Sequence, residues 1–319
     1  MKAMVLDENL NFLWADMPDP VCRENEVLIA VHAAAVNRAD LMQKDGCYAS
    51  PPDWPQWCGL EVAGVIEQAY ENSGFKPGDR VCALVGGGGY SQKIAVPANM
   101  VIRIPDDMTM IQAASIPEVW CTVYLNLMFE AGGITSDDIL YVQAGASGVG
   151  LAAIQFAKSK GAKVITTAGT REKVEFLKKM GADFALNYRE DDVHAVIREN
   201  PPTIALDCIG GKSMGIYLED MAFGGRWIMI ASMGGSETTV NLEKIWRKRL
   251  RLIGSTLRSR TLEQKGRIMK AIHDELLPQF MDGRLQSCIC HVFPIQEVEK
   301  AHNVLRRSEN IGKVVLTFK

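Results

Sequence analysis

The sequence predicts an α/β protein with two parts, one β-rich and one built on a doubly wound parallel sheet of six strands. In the first hundred residues, short β-branched runs are separated by turn residues, which is typical of a β-rich domain. From about residue 139, apolar runs of strand length alternate with segments of helical periodicity, which indicates parallel strands joined by crossover helices. The six runs of strand type lie at 139–143, 163–168, 184–187, 203–207, 226–231 and 250–256.

The β-rich part and the C-terminal tail supply the remaining elements. Runs of strand type lie at 27–31, 61–67 and 90–96, and the turn at 76–80 leads into a further strand. After residue 257 the pattern predicts a helix to about 282, a strand at 288–293, a helix at 295–307 and a strand at 313–318. Since no repeat or low-complexity linker separates this tail from the rest, we expect it to fold back onto the first part.

Composition and charge exclude several classes of function. The 319 residues carry a formal net charge of −3, so the chain has no general attraction for nucleic acid or anionic lipid. The start does not resemble a signal peptide, and no apolar run approaches the ~20 residues that span a bilayer. The eight cysteines are scattered, as expected for reduced thiols. We therefore expect a cytoplasmic protein with neither a nucleic acid nor a membrane as partner.

The most informative segment is the turn at 144–150, Ala-Gly-Ala-Ser-Gly-Val-Gly, which stands between a strand and a helix. A dinucleotide site needs this order, because the backbone must approach a pyrophosphate closely and the new helix offers that anion its unpaired N–H groups. An ordinary glycine-rich turn in another α/β protein is the alternative reading. The predicted cofactor contacts in this turn are Gly145, Ala146, Ser147, Gly148 and Val149.

The end of the second parallel strand indicates which dinucleotide is bound. A site selective for NAD usually has Asp or Glu there, to bind the ribose hydroxyls, but residues 166–171 contain no acid. Lys173 follows one turn into the helix, and Tyr188 follows the next strand. Cationic and hydroxyl donors without a competing carboxylate suit a 2′-phosphate, so the sequence favours NADPH. Alternatively, Arg171 and Lys173 form a solvated helix face.

Several motifs together resemble the medium-chain dehydrogenase/reductase superfamily, and the likeness extends over nearly the whole chain. The motifs are the glycine turn and residues 35–40, 59–64, 76–81, 113–117, 169–173, 187–188, 207–211, 225–227 and 310–313. Within that superfamily they look like the zinc-free, zeta-crystallin type of NADPH:quinone oxidoreductase. The segments 37–42, 116–118 and 257–260 resemble most the tumour-suppressor-inducible subgroup.

The resemblance implies an architecture and a reaction. It implies a GroES-like catalytic domain formed by 1–121 and 258–319, and a Rossmann NADPH-binding domain at 122–257. Hydride would pass from the nicotinamide to a quinone in a cleft between the domains, and two chains would join through strand 249–255 as a homodimer. One alternative is an enoyl or 2-alkenal double-bond reductase of the same fold. Another is a sensory or structural module that binds NADPH without turnover.

The resemblance also assigns residues to the site. Tyr48 and Asn37 are the catalytic candidates. Tyr48 would donate to the acceptor oxygen or stack on its ring, unless it only packs the neighbouring loop. Asn37 would lie near the nicotinamide, unless it is a buried, satisfied turn amide. The predicted cofactor contacts are Asn37, Gly145, Ala146, Ser147, Gly148, Val149, Gly169, Thr170, Lys173, Tyr188, Gly210, Met233, Leu257 and Lys313.

No metal is expected. Zinc-dependent relatives hold a catalytic zinc with Cys, His and Cys, and the matching positions here are Asn37, Leu60 and Glu118. Cys82 stands alone where a structural zinc would need four cysteines. Without a Lewis acid an alcohol is hard to oxidise, whereas a quinone or an enone accepts hydride readily. The missing ligands therefore favour an electron-poor acceptor.

Three polar segments have more modest interpretations. Asp40 is interpreted as the partner of a backbone donor rather than as a base. One arginine of the pair Arg258 and Arg260 would reach the cofactor or substrate, or the pair would be solvated. The basic run 247–251 is interpreted as a half-buried edge strand, in which arginines alternate with Leu250 and Leu252, rather than as a nucleic-acid site.

Overall fold

The computed structural model describes residues 1–318, which divide into two compact units. The first unit combines Met1–Cys121 with the residues from Arg258 onward, and the second is Thr122–Leu257. Within residues 1–318, no helix combines the length and the apolar character needed to cross a lipid bilayer.

The N-terminal part of the first unit is mostly strand. Its strands are β1 (Lys2–Leu6), β2 (Phe12–Asp16), β3 (Glu26–Val36), β4 (Glu61–Ala69), β5 (Arg80–Leu84), β6 (Lys93–Pro97) and β7 (Val101–Arg103). Its helices are α1 (Arg38–Lys44), α2 (Met110–Ala114) and α3 (Pro117–Tyr124), the last continued by a π-helical segment, Leu125–Glu130. Thr109 begins α2 with a capping box, in which its hydroxyl and the Gln112 side chain each bond the other's backbone N–H.

Strands and helices alternate in the second unit. The strands are β8 (Ile139–Val142), β9 (Lys163–Ala168), β10 (Phe184–Asn187), β11 (Ile204–Asp207), β12 (Arg226–Met229) and β13 (Arg251–Gly254). The helices are α4 (Gly148–Ser159), α5 (Arg171–Lys179), α6 (Val193–Glu199), α7 (Gly211–Leu218) and α8 (Leu242–Lys248).

The C-terminal elements belong to the first unit. They are α9 (Leu262–Ala271), a π-helical segment (Ile272–Leu276), α10 (Leu277–Met281), β14 (Ile289–Pro294), α11 (Val298–Arg306) and β15 (Lys313–Thr317). The helix predicted from 257 thus begins only at Leu262, because Thr261 caps it by accepting the Gln264 N–H. Strand β15 pairs antiparallel with β3, so the tail completes the sheet that the N-terminal part begins.

The sheet of the first unit has the strand order β14-β15-β3-β4-β5-β7, with β6 also pairing β3. Strand β3 is longer than the predicted 27–31, because the alanine-rich residues 33–36 are buried and pair with β15, and the first two of them also pair with β4. The carboxyl end of β3 and the amino ends of β4 and β15 consequently meet at one edge of the sheet. Three chain segments that are distant in sequence are brought together there.

The second unit contains the predicted doubly wound sheet. Its six strands are all parallel, in the order β10-β9-β8-β11-β12-β13, which confirms the predicted fold class. Trp227 and Tyr141 are fully buried in its core, where they pack with Ile165 and Leu218. In such a sheet the loops that bind ligands follow the carboxyl ends of the strands.

The last strand of this sheet differs from the prediction. Arg249 does not lie in a strand: it has a φ of 53° and ends α8 in the left-handed conformation, with its N–H bonded to the Trp246 carbonyl. Leu250 is then buried in the core while Leu252 is 44% exposed. The predicted alternation of arginine and leucine along one strand over 249–255 is therefore wrong, because a helix end occupies the first half of the basic run.

Candidate functional site

The glycine turn of the second unit forms the beginning of a helix. Ser147 is the N-cap of α4, and its Oγ accepts the Gly150 N–H at 3.0 Å. A side chain at Gly145 would overlap the Thr166 hydroxyl of the neighbouring strand, so only glycine lets the turn pass so close to β9. The first turn of this twelve-residue helix leaves the N–H groups of Gly148 and Val149 without helical acceptors. These groups suit an anion, since the helix N-terminus also carries partial positive charge.

The turn after β9 contains the residues predicted to select the dinucleotide. Thr170 is the N-cap of α5 and accepts the Lys173 N–H at 3.3 Å. Tyr188, which is 56% exposed, follows β10 and donates its backbone N–H to the Ala168 carbonyl. Because β9 and β10 are parallel neighbours, Thr170, Lys173 and Tyr188 lie at the same edge of the sheet. Arg171, in contrast, pairs with Glu190 at 2.9 Å on the exposed surface.

A buried carboxylate shapes the turn after β11. Asp207 Oδ1 accepts the N–H groups of Ile209 and Gly210 at 2.7 and 2.9 Å and the Gln143 amide at 3.1 Å, while its Oδ2 accepts the Trp227 indole N–H. Burial raises the pKa of this carboxyl, and the two backbone donors oppose the rise. Asp207 thus connects Gln143, directly after β8, with the Trp227 side chain of β12, and it fixes Gly210 at the edge that holds the glycine turn. In the sequence, Asp207 was recognised only as part of the motif 207–211 and was given no role, although this acid ends an otherwise apolar strand.

Met233 and Leu257, two further predicted cofactor contacts in the second unit, differ in how far they are exposed. Met233 follows β12, is 47% exposed and donates its backbone N–H to the Cys208 carbonyl. Leu257, the last residue of the unit, is 8% exposed. A helix N-terminus, a glycine that lets the backbone approach closely and an acid-free strand end occur together at one sheet edge. These residues therefore fit a dinucleotide phosphate.

A polar cluster lies in the first unit where β3, β4 and β15 meet. The Lys313 ammonium donates to Glu61 Oε1 at 2.7 Å, to Asn37 Oδ1 at 2.6 Å and to the Val36 carbonyl at 3.1 Å. Lys313 is 5% exposed and Glu61 is fully buried. All three ammonium protons are thus used inside the unit, so the contact of Lys313 with the cofactor stays a prediction.

Asn37 and Asp40 are held by the same cluster. Asn37 Nδ2 donates to Glu61 Oε1 at 2.9 Å, so the amide is a buried, satisfied turn amide, and its contact with the nicotinamide stays a prediction. Asp40 accepts the Asn37 N–H at 2.8 Å and the Gly59 N–H at 2.7 Å. Its partners are backbone donors, as the sequence indicated. Complete burial raises the pKa of Asp40 to about 6, against the pull of these donors.

Glu118 stands at the start of α3, beside this cluster. Its backbone N–H donates to Glu61 Oε2 at 2.8 Å. Burial and the neighbouring Glu61 charge raise the pKa of Glu118 to about 8. Of the other two positions that match zinc ligands, Leu60 is an apolar residue with 2% exposure and the Asn37 amide is already bonded. Among residues 1–318, no group of three or more His, Cys, Asp or Glu side chains is placed to hold a metal ion.

Tyr48 lies under an arginine. The Arg258 guanidinium carbon is 4.5 Å from the centre of the half-buried Tyr48 ring, and its Nη1 donates to the Tyr48 carbonyl at 2.9 Å. The same guanidinium donates to Gln43 Oε1 at 2.7 Å and to the Gly86 carbonyl at 2.9 Å. Arg258 is therefore not a solvated residue. It fixes the loop that carries Tyr48.

Four consecutive glycines support this loop. Gly86 lies against the Trp54 ring, where a Cβ would be 2.6 Å from the indole Cδ1. Trp57 donates its indole N–H to the Gly88 carbonyl at 3.0 Å. The segment 50–57 therefore packs closely on the backbone of residues 86–89. The glycine run was a visible signal in the sequence, but its partner segment was not.

The chain matches known families in both units. Residues 23–106 match the model described as alcohol dehydrogenase GroES-like domain, and residues 148–272 match the model described as zinc-binding dehydrogenase. The quinone oxidoreductase of Homo sapiens is 31% identical over 311 residues, which cover 95% of this chain and 92% of that protein. The quinone oxidoreductase of Lama guanicoe is also 31% identical, over 96% of this chain and 93% of that protein.

Solved structures show the same architecture. The quinone oxidoreductase of Thermus thermophilus, whose structures include a complex with NADPH, is 29% identical with a TM-score of 0.83, covering 99% of this chain and all of that one. The CurK enoyl reductase is 26% identical with a TM-score of 0.86, covering all of this chain and 99% of that one. The family resemblance is thereby confirmed. The chain belongs to the medium-chain dehydrogenase/reductase superfamily, in its quinone oxidoreductase branch.

Proposed function

We propose that the protein is a zinc-independent reductase that transfers hydride from NADPH to quinones. The coarser statement follows from its family: it is an oxidoreductase, and its cofactor is NADPH. The positions that match zinc ligands support an electron-poor acceptor, and the likeness to quinone oxidoreductases supports a quinone as that acceptor. Leu60 supplies no ligand atom, and the Asn37 oxygen is used by Lys313. Because no Lewis acid would take up an alkoxide charge, the acceptor must already be electron-poor.

Residues of the second unit would hold the cofactor. The Gly148 and Val149 N–H groups would bind the pyrophosphate, and Lys173 with Tyr188 would bind the 2′-phosphate through charge-assisted and hydroxyl hydrogen bonds. Asp207 would keep Gly210 in position beside them. When bound, NADPH supplies the hydride.

Tyr48 would orient the acceptor in the first unit. Burial raises the pKa of its phenol, so the hydroxyl stays protonated and available as a hydrogen-bond donor at neutral pH. Arg258 holds one face of the ring, which would leave the other face for a planar acceptor. Orientation and hydrogen bonding are the main requirements for an acceptor that takes hydride readily.

Two other functions are the alternatives to quinone reduction. A double-bond reductase of enones or 2-alkenals is favoured by the likeness to the CurK enoyl reductase. A module that binds NADPH without turnover would use only the phosphate-binding features of the second unit.

A panel of acceptors separates the three. Initial rates of NADPH oxidation are measured with 1,2- and 1,4-naphthoquinones and with 2-alkenals of several lengths. We expect kcat/KM for quinones to exceed that for 2-alkenals by at least about tenfold, which corresponds to 1.4 kcal/mol of transition-state binding. The reverse order would identify a double-bond reductase. Normal NADPH binding without oxidation by any acceptor would identify a binding module.

We also propose a cytoplasmic location and a homodimer. No pair of the eight cysteines forms a disulfide within residues 1–318, which supports a reducing compartment. The edge strand β13 supports a homodimer, because its outer side pairs with no other described strand.

A further inference from the structure

Three carboxyl groups lie near one another in the first unit, and two of them have both oxygens occupied. Asp40 accepts one backbone N–H on each oxygen, from Asn37 and Gly59. Glu61 accepts Lys313 and the Asn37 amide on Oε1 and the Glu118 backbone N–H on Oε2. Both side chains are fully buried. Neither can exchange a proton with a ligand without breaking the bonds that hold the cluster together.

Glu118 differs from the other two carboxyls in its hydrogen bonding and in its burial. Among the described residues, no hydrogen bond or ion pair to its carboxyl oxygens is present, and the residue keeps part of its surface exposed. Its backbone is nevertheless fixed by the bond to Glu61. The Glu118 charge is also close enough to raise the pKa of the Tyr48 phenol. A positioned carboxyl with free oxygens therefore stands near the residue that would orient the acceptor.

The surroundings keep this carboxyl protonated near neutral pH. Burial raises the pKa of Glu118 most, and the neighbouring charges of Glu61 and Asp40 raise it further. The positive charges of Lys313 and Arg258 lower it, and the resulting pKa is about 8. Two further groups interact with it: Lys265 on α9 and Cys121 on α3. Burial raises the pKa of Tyr48 above its usual value of 10, so that Glu118 is the stronger acid of the two. A general acid works best when its pKa lies near the working pH.

We propose that Glu118 is the proton donor of the reductase. This role rests on the proposed function. Hydride from NADPH brings two electrons to the acceptor and leaves one acceptor oxygen with a negative charge. The O–H bond of Glu118 then breaks, and its proton forms the O–H bond of the hydroquinone, or of the enol when the acceptor is an enone. The Glu118 carboxylate takes a proton from water before the next turnover, so atoms and charge balance.

The test uses the full-length protein with NADPH and the best acceptor of the panel. Glu118→Gln keeps the size of the side chain but removes the proton that can be transferred. We expect kcat to fall roughly 100-fold or more, within the range that general acids contribute. The parent protein should lose kcat above about pH 8, and Glu118→Gln should not show this alkaline decrease. The Kd for NADPH should stay within about twofold of the parent value, which a disrupted fold would not allow.

Glu8→Gln is the matched control, since it makes the same chemical change at an exposed turn residue and should keep the parent pH profile. If Glu118→Gln does not fold, Glu118→Asp retains an acid. An alkaline decrease that persists with a lower kcat in Glu118→Asp then supports the role, and a rate independent of pH overturns it. A Glu118→Gln protein with the parent kcat and pH profile contradicts only the role of Glu118. A parent protein that reduces neither quinones nor 2-alkenals contradicts the proposed function instead.

Discussion

Lys313 Nζ lies 2.7 Å from Glu61 Oε1, and the two side chains are 5% and 0% exposed. The pair joins the first residue of β15 to the first residue of β4, on either side of β3. Asn37, directly after β3, bonds both partners. This pair therefore ties three strands together at one sheet edge, beside the residues proposed to handle the acceptor.

Breaking this pair should destabilise the protein strongly. Lys313→Met leaves the Glu61 carboxylate buried without its cation, which typically costs about 3–5 kcal/mol. Glu61→Gln combined with Lys313→Met removes both charges, so the double variant should recover part of the lost free energy of unfolding. The midpoints of urea unfolding for the parent, both single variants and the double variant measure this coupling. Additive losses would mean that the two side chains do not interact energetically.

Cofactor preference follows from the acid-free end of β9. A charge-assisted contact to the 2′-phosphate is worth about 1.5–3 kcal/mol, so kcat/KM should favour NADPH over NADH roughly ten- to hundredfold. Lys173→Ala should reduce this preference, chiefly through weaker NADPH binding, while NADH is used as before. Lys179→Ala, an exposed change on the same helix, is the control. Equal kcat/KM for the two cofactors in the parent protein would contradict the assignment.

Activity should not require a metal. Leu60 has no ligand atom, and the Asn37 oxygen accepts the Lys313 ammonium, so the positions matching zinc ligands offer one carboxylate, Glu118, at most. Prolonged incubation with a chelator should therefore leave kcat unchanged. Metal analysis of the purified protein provides the second measurement. Finding one zinc per chain, with activity lost when the zinc is removed, would contradict the prediction that activity needs no metal.

Tyr48 should affect the acceptor more than the cofactor. Tyr48→Ala removes both the ring and the donor, so quinone turnover should fall while the Kd for NADPH stays near the parent value. Tyr48→Phe keeps the ring under Arg258 but loses the hydroxyl, so its rate should lie between the other two. Steady-state kinetics with a quinone and fluorescence titration with NADPH separate these effects. Full activity in Tyr48→Ala would show that Tyr48 only packs the neighbouring loop.

Local sequence patterns predicted the second unit well, because each of its helices and strands can be recognised from a short stretch of consecutive residues. The apolar run of β8, the glycines after it and the periodicity of α4 are adjacent in the chain. The same logic failed at Arg249, since nothing in a basic run distinguishes a left-handed helix end from a strand. There, the packing of Leu250 into the core decides the conformation.

The acceptor side of the site was less predictable. Glu61 and Lys313 are far apart in sequence, and only the pairing of β3 with both β4 and β15 brings them together. Glu118 was considered only as a failed zinc ligand. Its signal was a charged residue within the segment 113–121, whose other residues, apart from Ser115, are apolar. The pKa of that acid depends on the charges of four residues that are distant in the sequence: Asp40, Glu61, Arg258 and Lys313.

The exposed edge of the second sheet indicates how two chains could associate. Strand β13 pairs only with β12 among the described strands, and a free edge of this kind is usually covered. The adjacent helix α8 buries none of its residues, and its Leu242 and Trp246 are 71% and 65% exposed. An antiparallel contact between two copies of β13 about a twofold axis would cover this edge and form a closed dimer.

The direction of the N–H groups in β13 gives this prediction its sharpest test. Arg251 donates its N–H to the carbonyl of Gly225, directly before β12, and Ser255 donates to Met229, the last residue of β12. By alternation the Leu252 N–H points away from the sheet. Leu252→Pro should therefore spare the internal ladder, remove an outward donor and weaken the dimer before it affects NADPH binding. Ile253→Pro, whose N–H points inward, should destabilise the unit itself. Light scattering should give twice the 35.1 kDa chain mass for the parent and a lower mass for Leu252→Pro. A parent protein that is monomeric at micromolar concentration and fully active would show that this edge needs no second copy.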